Sequence, residues 1–503
     1  MKTIILGPPG TGKTTTLLEL VDDFMQAGID SRRIGYFSFT KKAATEAQLR
    51  AMDKFDLSDK DLPYFKTLHS LAFQVLGLNK AKVMQNTDYQ DFGKKCGIPI
   101  TIRSAYHSDE DGTFTSDNEY LQLIQKSVAT ERDVMEVYDD NKHYIDIERD
   151  TLYLLDQELK RYKKEKGMCD YGDMLQRFIT FDQIPSFDVL FIDEAQDLSP
   201  IQWKMVRALW QRSEKTYIAG DDDQAIFEWA GADVDHFIAL RDEVDTVRVL
   251  DQSYRIPGGP IHELSQSIIS KVSNRYEKKY KPRAGTGILQ RYSDLTQVDM
   301  SQGEWLVLSS ANYFLEDVKD LCEQKGWYYA HKGRNSVSID LLIAIENWGK
   351  WIKGERLSCL HITNIYEYLG DNVTRGYRKG KTLDTTQFYS IEECIADHGL
   401  QTKEVWFKSF AGLDTYRENY IRNMLRNEEK IRKTPRIILS SIHSIKGGEA
   451  DNVLVLPDIT RSAQVSDDRD PDVLHRLFYV AVTRAKKELH IMEPRNYERA
   501  YPL

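Results

Sequence analysis

Two hydrophobic patterns take turns along the chain. Short runs of consecutive apolar residues are bounded by Gly, Asp or Ser, and between them apolar positions recur every three or four residues. The first pattern predicts fully buried strands and the second amphipathic helices. TIIL (3–6) passes through GPPGTGKTT into the helical TLLELVDDFM, which reads as strand, glycine-rich loop and helix. RIGYFSF leads into KKAATEAQLRAM, and FDVLFIDEAQD, YIAGDDDQAIF and TVRVL supply further strands. EWLVLSSA, RIILSSIHSIKG, NVLVLPDI and KELHIME form a second set. Strands alternating with helices predict an α/β fold of parallel sheets flanked by helices.

Both sets are interrupted. Residues 71–179 are charged and helix-patterned, as in YLQLIQKSVATERDVMEVY and TLYLLDQELKRYKKEK, and residues 338–435 are helix-patterned around RGYRKGK. The pattern divides the chain into 1–70 with 180–250, an insertion at 71–179, 251–337 with 436–503, and a smaller insertion at 338–435. A length of 503 residues agrees, because single cores stop growing near ~300 residues.

Composition removes several classes. With 41% apolar residues and 29% charged, the chain has the balance of a globular protein. Five cysteines without a C-x-x-C argue for reduced thiols and against a disulfide or zinc framework. No apolar run approaches the ~18 residues of a membrane span, and the N-terminus is too short in apolar residues for a signal peptide, so a soluble, cytoplasmic protein with no membrane partner is expected. The net charge of −10 denies the molecule a general basic field, so any polyanion must be met by local patches.

Gly7, Pro8, Pro9, Gly10, Thr11, Gly12, Lys13 and Thr14, followed by Thr15, match the phosphate-binding loop in the strand-to-helix context that it requires. Backbone N–H groups would curl around a β-phosphate, Lys13 would place a charge between the β- and γ-phosphates, and the Thr14 hydroxyl would ligate Mg²⁺. Asp193, ending an apolar strand, is placed to hold the Mg²⁺ shell, and Glu194 to deprotonate the attacking water. Gln224 follows another strand, where its amide could sense the γ-phosphate. Arg255 and Arg484 could offset charge developing there, although a surface salt bridge explains either arginine alone equally well.

In this order the segments resemble superfamily 1A helicases of the UvrD/Rep/PcrA type, from Gly7 to Lys486. GPPGTGKTT, FTKKAATEAQLR, TLHSLAF, DYGDML, FIDEAQD, GDDDQAIFEWAGA, LDQSYR, SIHSIKGGEADNV and LFYVAVTRAK follow the family's motif series. The resemblance implies two RecA-like domains, each carrying a mainly helical insertion, with ATP and Mg²⁺ as cofactors. It implies an ATP-dependent helicase or translocase working 3′ to 5′ on single-stranded DNA and at single-strand/duplex junctions. Its protein partners would belong to replication, repair or recombination. It assigns Lys13, Thr14, Asp193, Glu194, Gln224, Arg255 and Arg484 to ATP and Mg²⁺, Tyr254 to stacking near the adenine and Glu449 to the ribose. DNA contacts fall on Phe39, Thr40, Thr67, His69, Phe227, Trp229, His443 and Lys446. For Phe39 or Phe227 alone, core packing is the simpler reading, whereas Trp229, between Glu228 and Ala230, suits base stacking.

Three positions depart from the family. Only six residues precede Gly7, where a glutamine-bearing adenine-reading segment is usual, so relaxed base selectivity is expected. Ala230 replaces an arginine, and IKGGEA replaces AKGLEF, while His443, Lys446, Gly447 and Glu449 persist. The chain stops soon after the last motif, so no fused nuclease or long tail is expected. Two rival readings are a translocase that displaces bound proteins without unwinding and a nucleotide-switched DNA-binding or loading factor. The basic clusters at 160–166, 278–283 and 375–381 serve equally well as nucleic-acid surfaces or solvated faces, and only the last is expected to touch a duplex.

Overall fold

The apolar runs become strands whose ends all face one way. In the computed structural model, β1 (Lys2–Leu6), β2 (Ile34–Ser38), β3 (Phe65–Thr67), β4 (Phe187–Asp193), β5 (Ser213–Gly220) and β6 (Thr246–Val249) pair in the order β3-β2-β4-β5-β1-β6. Every pairing is parallel. The structure describes residues 1–100, 118–143, 145–370, 374, 383–429, 434–445, 447–461, 463–464 and 470–503, with the backbone alone at Lys42. Lys446 and the 375–381 cluster lie outside the described residues.

Parallel order places the loops after β1, β4 and β5 on one edge of the sheet, where open α/β sheets bind ligands. α1 (Lys13–Gln26) and α2 (Lys41–Phe55) cover one face. Leu17, Leu18 and Val21 of α1 and Ala47 and Ala51 of α2 are buried against Ile5, Ile34, Tyr36, Phe65, Val189, Phe191 and Tyr217. Aromatic rings pair within this layer: Tyr36 stacks on Phe65 at 5.2 Å, and Phe191 on Tyr217 at 5.3 Å. The helix Pro200–Trp210 starts at a proline behind the N-cap Ser199, whose N–H and Oγ both donate to Gln202 Oε1, and buries Trp203 completely.

The insertion at 71–179 is helical in its described part, with helices at Asn86–Cys96, Glu119–Thr130, Val134–Asn141, Arg149–Lys166 and Tyr171–Ile179. It has its own core of Phe92, Leu121, Ile124, Leu152, Leu159 and Tyr162. The long apolar stripe at 120–138 is split at Glu131 (φ 54°), which closes one helix before Asp133 caps the next. The 160–166 cluster is not a uniform solvated face. Lys163 is buried between Asp170 and Asp173, while Lys160 pairs with Asp156.

The chain forms two compact units, residues 1–291 with 442–503, and residues 292–441. In the first, Ala450–Val455 and Ala485–Met492 pair in parallel, with the helix Asp472–Val482 between them in sequence. In the second, Trp305–Ser309, Tyr329–His331 and Ile437–Ser441 form a parallel core, and Trp348 and Trp351 are fully buried among its helices. Both indoles are satisfied by carbonyls, of Glu404 at 3.0 Å and Tyr389 at 3.1 Å. Among the described residues no helix is long and apolar enough to cross a membrane.

Phe191 lies within ring contact of Phe24, Tyr36 and Tyr217. Phe191→Ala should therefore destabilise the first unit by about 3–5 kcal/mol, read as a lowered urea midpoint by circular dichroism. Leu154→Ala, at a side chain 62% exposed, should change stability by less than about 0.5 kcal/mol.

Candidate active site

The loop after β1 is shaped by two glycines. Gly10 and Gly12 have φ of 71° and 80°, and a Cβ on Gly10 would come 2.4 Å from Cβ of Arg255. The loop is anchored by Gly7 N–H donating to Gly220 at the end of β5 and by Thr11 Oγ1 donating to Pro8. Lys13 donates through Nζ to the Gly7 carbonyl at 2.9 Å, holding its ammonium across the mouth of the loop. Thr15, one step on, is exposed.

Thr14 Oγ1 donates to Asp193 Oδ2 at 2.9 Å, and the Tyr36 hydroxyl donates to the same oxygen at 2.8 Å. Burial, with the neighbouring Glu194 charge second, raises the Asp193 carboxyl to about 6. This acidic pair is short of positive charge, and its hard oxygen donors suit Mg²⁺. The residues present thus fit that ion. Glu194 sits at φ 53°, a left-handed conformation uncommon for a side-chain-bearing residue, which turns the chain sharply after the strand. Its Oε2 accepts from Gln196 Nε2 at 2.6 Å, and Gln196 Oε1 accepts from the Asp221 N–H at 3.0 Å, so the turns after β4 and β5 are joined.

Gln224 is buried. Its Nε2 donates to Asp221 Oδ2 at 2.6 Å and its Oε1 accepts from Arg484 Nη2 at 3.1 Å. Arg484 is 1% exposed; burial, aided by the nearby Arg255 charge, lowers its guanidinium to about 9, so it stays protonated at neutral pH. Arg255 is held against the loop because Tyr254 N–H donates to the Gly10 carbonyl and Ser253 Oγ donates to that of Pro9. Its Nε donates to Glu449 Oε2 at 2.6 Å. The residues assigned separately to γ-phosphate and ribose are therefore paired with each other, the salt bridge that sequence alone left open. Tyr254 is 73% exposed beside the loop, as a stacking ring would need to be.

On the same unit Phe39, Phe227, Trp229 and His443 form one aromatic group. Phe39 and Phe227 lie 5.3 Å apart and both are buried, while Trp229 is 53% exposed and meets His443 edge-on at 6.2 Å. The core reading thus describes Phe39 and Phe227, and Trp229 alone offers a broad open ring. Thr40 and Thr67 are helix N-caps, accepting from the N–H groups of Ala43 at 3.0 Å and Ser70 at 3.2 Å. His69 is buried edge-on to Tyr171.

Sequence reasoning missed Tyr36, Ser253, Gln196 and the pairing of Arg476 with Glu228. Tyr36 left a signal that it shares with Ser38, as one of two hydroxyls in the all-buried strand Ile34–Ser38.

Burial lowers His69 to about 4 from its ordinary 6.5, so the fold holds it neutral and it brings no charge to a phosphate. Below pH 6.5 the unfolded chain takes up a proton that the folded chain refuses, so stability should fall as pH drops from about 6.5 to about 4, by at most about 1.4 kcal/mol per pH unit for this group. His69→Asn should flatten that slope in urea titrations between these pH values.

Residues 1–245 match the UvrD/REP helicase N-terminal domain, and residues 437–492 the UvrD-like helicase C-terminal domain. The chain is 23% identical to the ATP-dependent DNA helicase Rep of Buchnera aphidicola, over 55% of this chain and 42% of that protein. It is 23% identical to the ATP-dependent DNA helicase PcrA of Leuconostoc citreum, over 65% of this chain and 44% of that protein. With a probable DNA helicase II homolog of Mycoplasma pneumoniae it shares 21% identity over 97% of this chain and 81% of that protein. The chain thus spans less than half the length of the Rep and PcrA relatives. The two matched domains, in this order and around this loop, make the chain a member of the UvrD/REP helicase family.

Proposed function

We propose that the protein hydrolyses ATP to move along single-stranded DNA in the 3′ to 5′ direction and to open duplex DNA at single-strand junctions. One observation supports the reading: Lys13, Thr14 and Asp193 meet at the glycine-rich loop, Arg255 packs against Gly10 of the same loop, and Arg484 from the C-terminal part pairs with Gln224 just beyond the neighbouring strand β5. In this reading 1–70 with 180–250 and 251–337 with 436–503 are the RecA-like motor domains, and 71–179 and 338–435 are their insertions.

Lys13 would exchange the Gly7 carbonyl for β- and γ-phosphate oxygens. Thr14 and Asp193 would hold Mg²⁺, which when bound offsets the charge on those oxygens. Glu194 would take the proton of the attacking water, and Gln224 would orient that water or the γ-phosphate. Arg484 and Arg255 would stabilise the charge that builds on the transferred group. Trp229 would stack a base of the strand, with the helix N-termini behind Thr40 and Thr67 facing phosphates. Partners in replication, repair or recombination follow the same reading.

Lys13→Ala and Glu194→Gln should each lower DNA-stimulated ATP hydrolysis by at least about 100-fold. Only Lys13→Ala should also weaken nucleotide binding, whereas a nucleotide switch would tolerate Glu194→Gln. Failure of single-stranded DNA to stimulate hydrolysis by the unaltered protein would sink the motor. Displacement of streptavidin from a single strand without duplex separation would restrict it to translocation. Trp229→Ala should weaken single-strand binding about 5- to 150-fold, the loss of one stacked base, measured by fluorescence anisotropy at fixed salt.

A further inference from the structure

The basic cluster at 278–283 supplies Lys278 neither to a nucleic-acid surface nor to solvent. Its side chain is 1% exposed, and Nζ lies 3.1 Å from Asp221 Oδ1 and 3.2 Å from Asp223 Oδ2, and hydrogen-bonds Asp222 Oδ1. An ammonium has three donors, and here three consecutive carboxylates receive them. Arg275 grips Asp223 with two further bonds, of 2.7 and 2.6 Å, and the Tyr276 N–H donates to Asp222 Oδ2 at 2.7 Å. The aspartates are at most 2% exposed. Carboxylates buried this close together require cations, and removing one strands the rest. Burial alone would push Lys278 toward its neutral form, yet the three aspartates hold its ammonium above the ordinary range.

The cluster is continuous with the candidate active site. Asp221 faces Lys278 with one oxygen and accepts from Gln224 Nε2 with the other, and Gln224 Oε1 accepts from Arg484. A carboxamide can turn end for end, and this run of contacts decides which end faces which way.

We propose that Lys278, with Arg275 beside it, is a positioning residue for Gln224. It holds the 221–224 turn so that the carboxamide oxygen meets Arg484 and the amide nitrogen meets Asp221, the orientation in which Gln224 would serve the γ-phosphate. The inference rests on the reading of Gln224 as part of an ATP-hydrolysing site. It gives the 273–278 segment a part in turnover, although none of it touches the phosphate-binding loop's own bonds.

Lys278→Met keeps the length and apolar stem of the side chain and removes the charge. In the full chain, checked by circular dichroism to be folded at the assay temperature, kcat for DNA-stimulated hydrolysis should fall at least about 10-fold while KM for ATP stays within about threefold. The decisive comparison adds Gln224→Ala alone and in combination. If Lys278 acts through Gln224, the double variant should be no more than about twofold slower than the slower single variant, whereas multiplied losses would overturn the inference. Unchanged kcat in Lys278→Met would overturn it too. Amide hydrogen exchange across 221–227 tests the hold without reference to turnover: it should accelerate in Lys278→Met, and exchange equal to that of the unaltered protein refutes the inference. Absence of DNA-stimulated hydrolysis in the unaltered protein would count against the motor, and the exchange result would still decide whether Lys278 holds the turn.

Discussion

Charge buried at the ends of parallel strands is the constraint on which this structure turns. Asp193 and Asp221 to Asp223 sit where β4 and β5 end, nearly sealed from water. A buried carboxylate is tolerated only when hydrogen bonds and cations replace its hydration. Those partners come from far along the chain. Thr14 and Tyr36 serve Asp193, Lys278 and Arg275 serve the three aspartates, and Arg484 reaches Gln224 from the C-terminal part. Of these pairs, Arg484 with Gln224 joins residues 442–503 to residues 1–291 within one compact unit.

The turn after β5 carries the buried Gln224 on one side and the exposed Trp229 on the other. Gln224 and Trp229 are five positions apart. Gln224 is tied to Arg484, just beyond the helix Asp472–Val482, and Glu228 to Arg476 within that helix at 3.3 Å. Burial raises Glu228 to about 7, with the Arg476 guanidinium opposing that rise. Two rungs from one helical segment thus hold both sides of the turn.

Much of the fold could be read directly. The apolar runs and the glycine loop locate β1, β2, β4 and β5 because the stretch of each strand that is buried on both faces is built mainly of apolar residues. Gly10, Gly12 and Lys13 were legible for a related reason: backbone geometry and phosphate charge restrict what can stand there. The split at Glu131 was less legible, because a left-handed residue inside a helical stripe leaves no change in periodicity.

Side-chain roles divided differently. Residue order located the glycine-rich loop after β1, the acidic strand end and the family's motif series, since these depend on local spacing. Whether Phe39 packs or stacks, whether Arg255 meets a carboxylate, and whether Lys278 is solvated depended on residues tens to hundreds of positions away. A lysine beside a second lysine reads as surface by composition, yet three aspartates 55 to 57 positions earlier bury it. The sequence by itself determined which chemistry the strand ends carry. Only the tertiary structure decided which charges neutralise one another, because that pairing depends on distances in space that spacing along the chain does not encode.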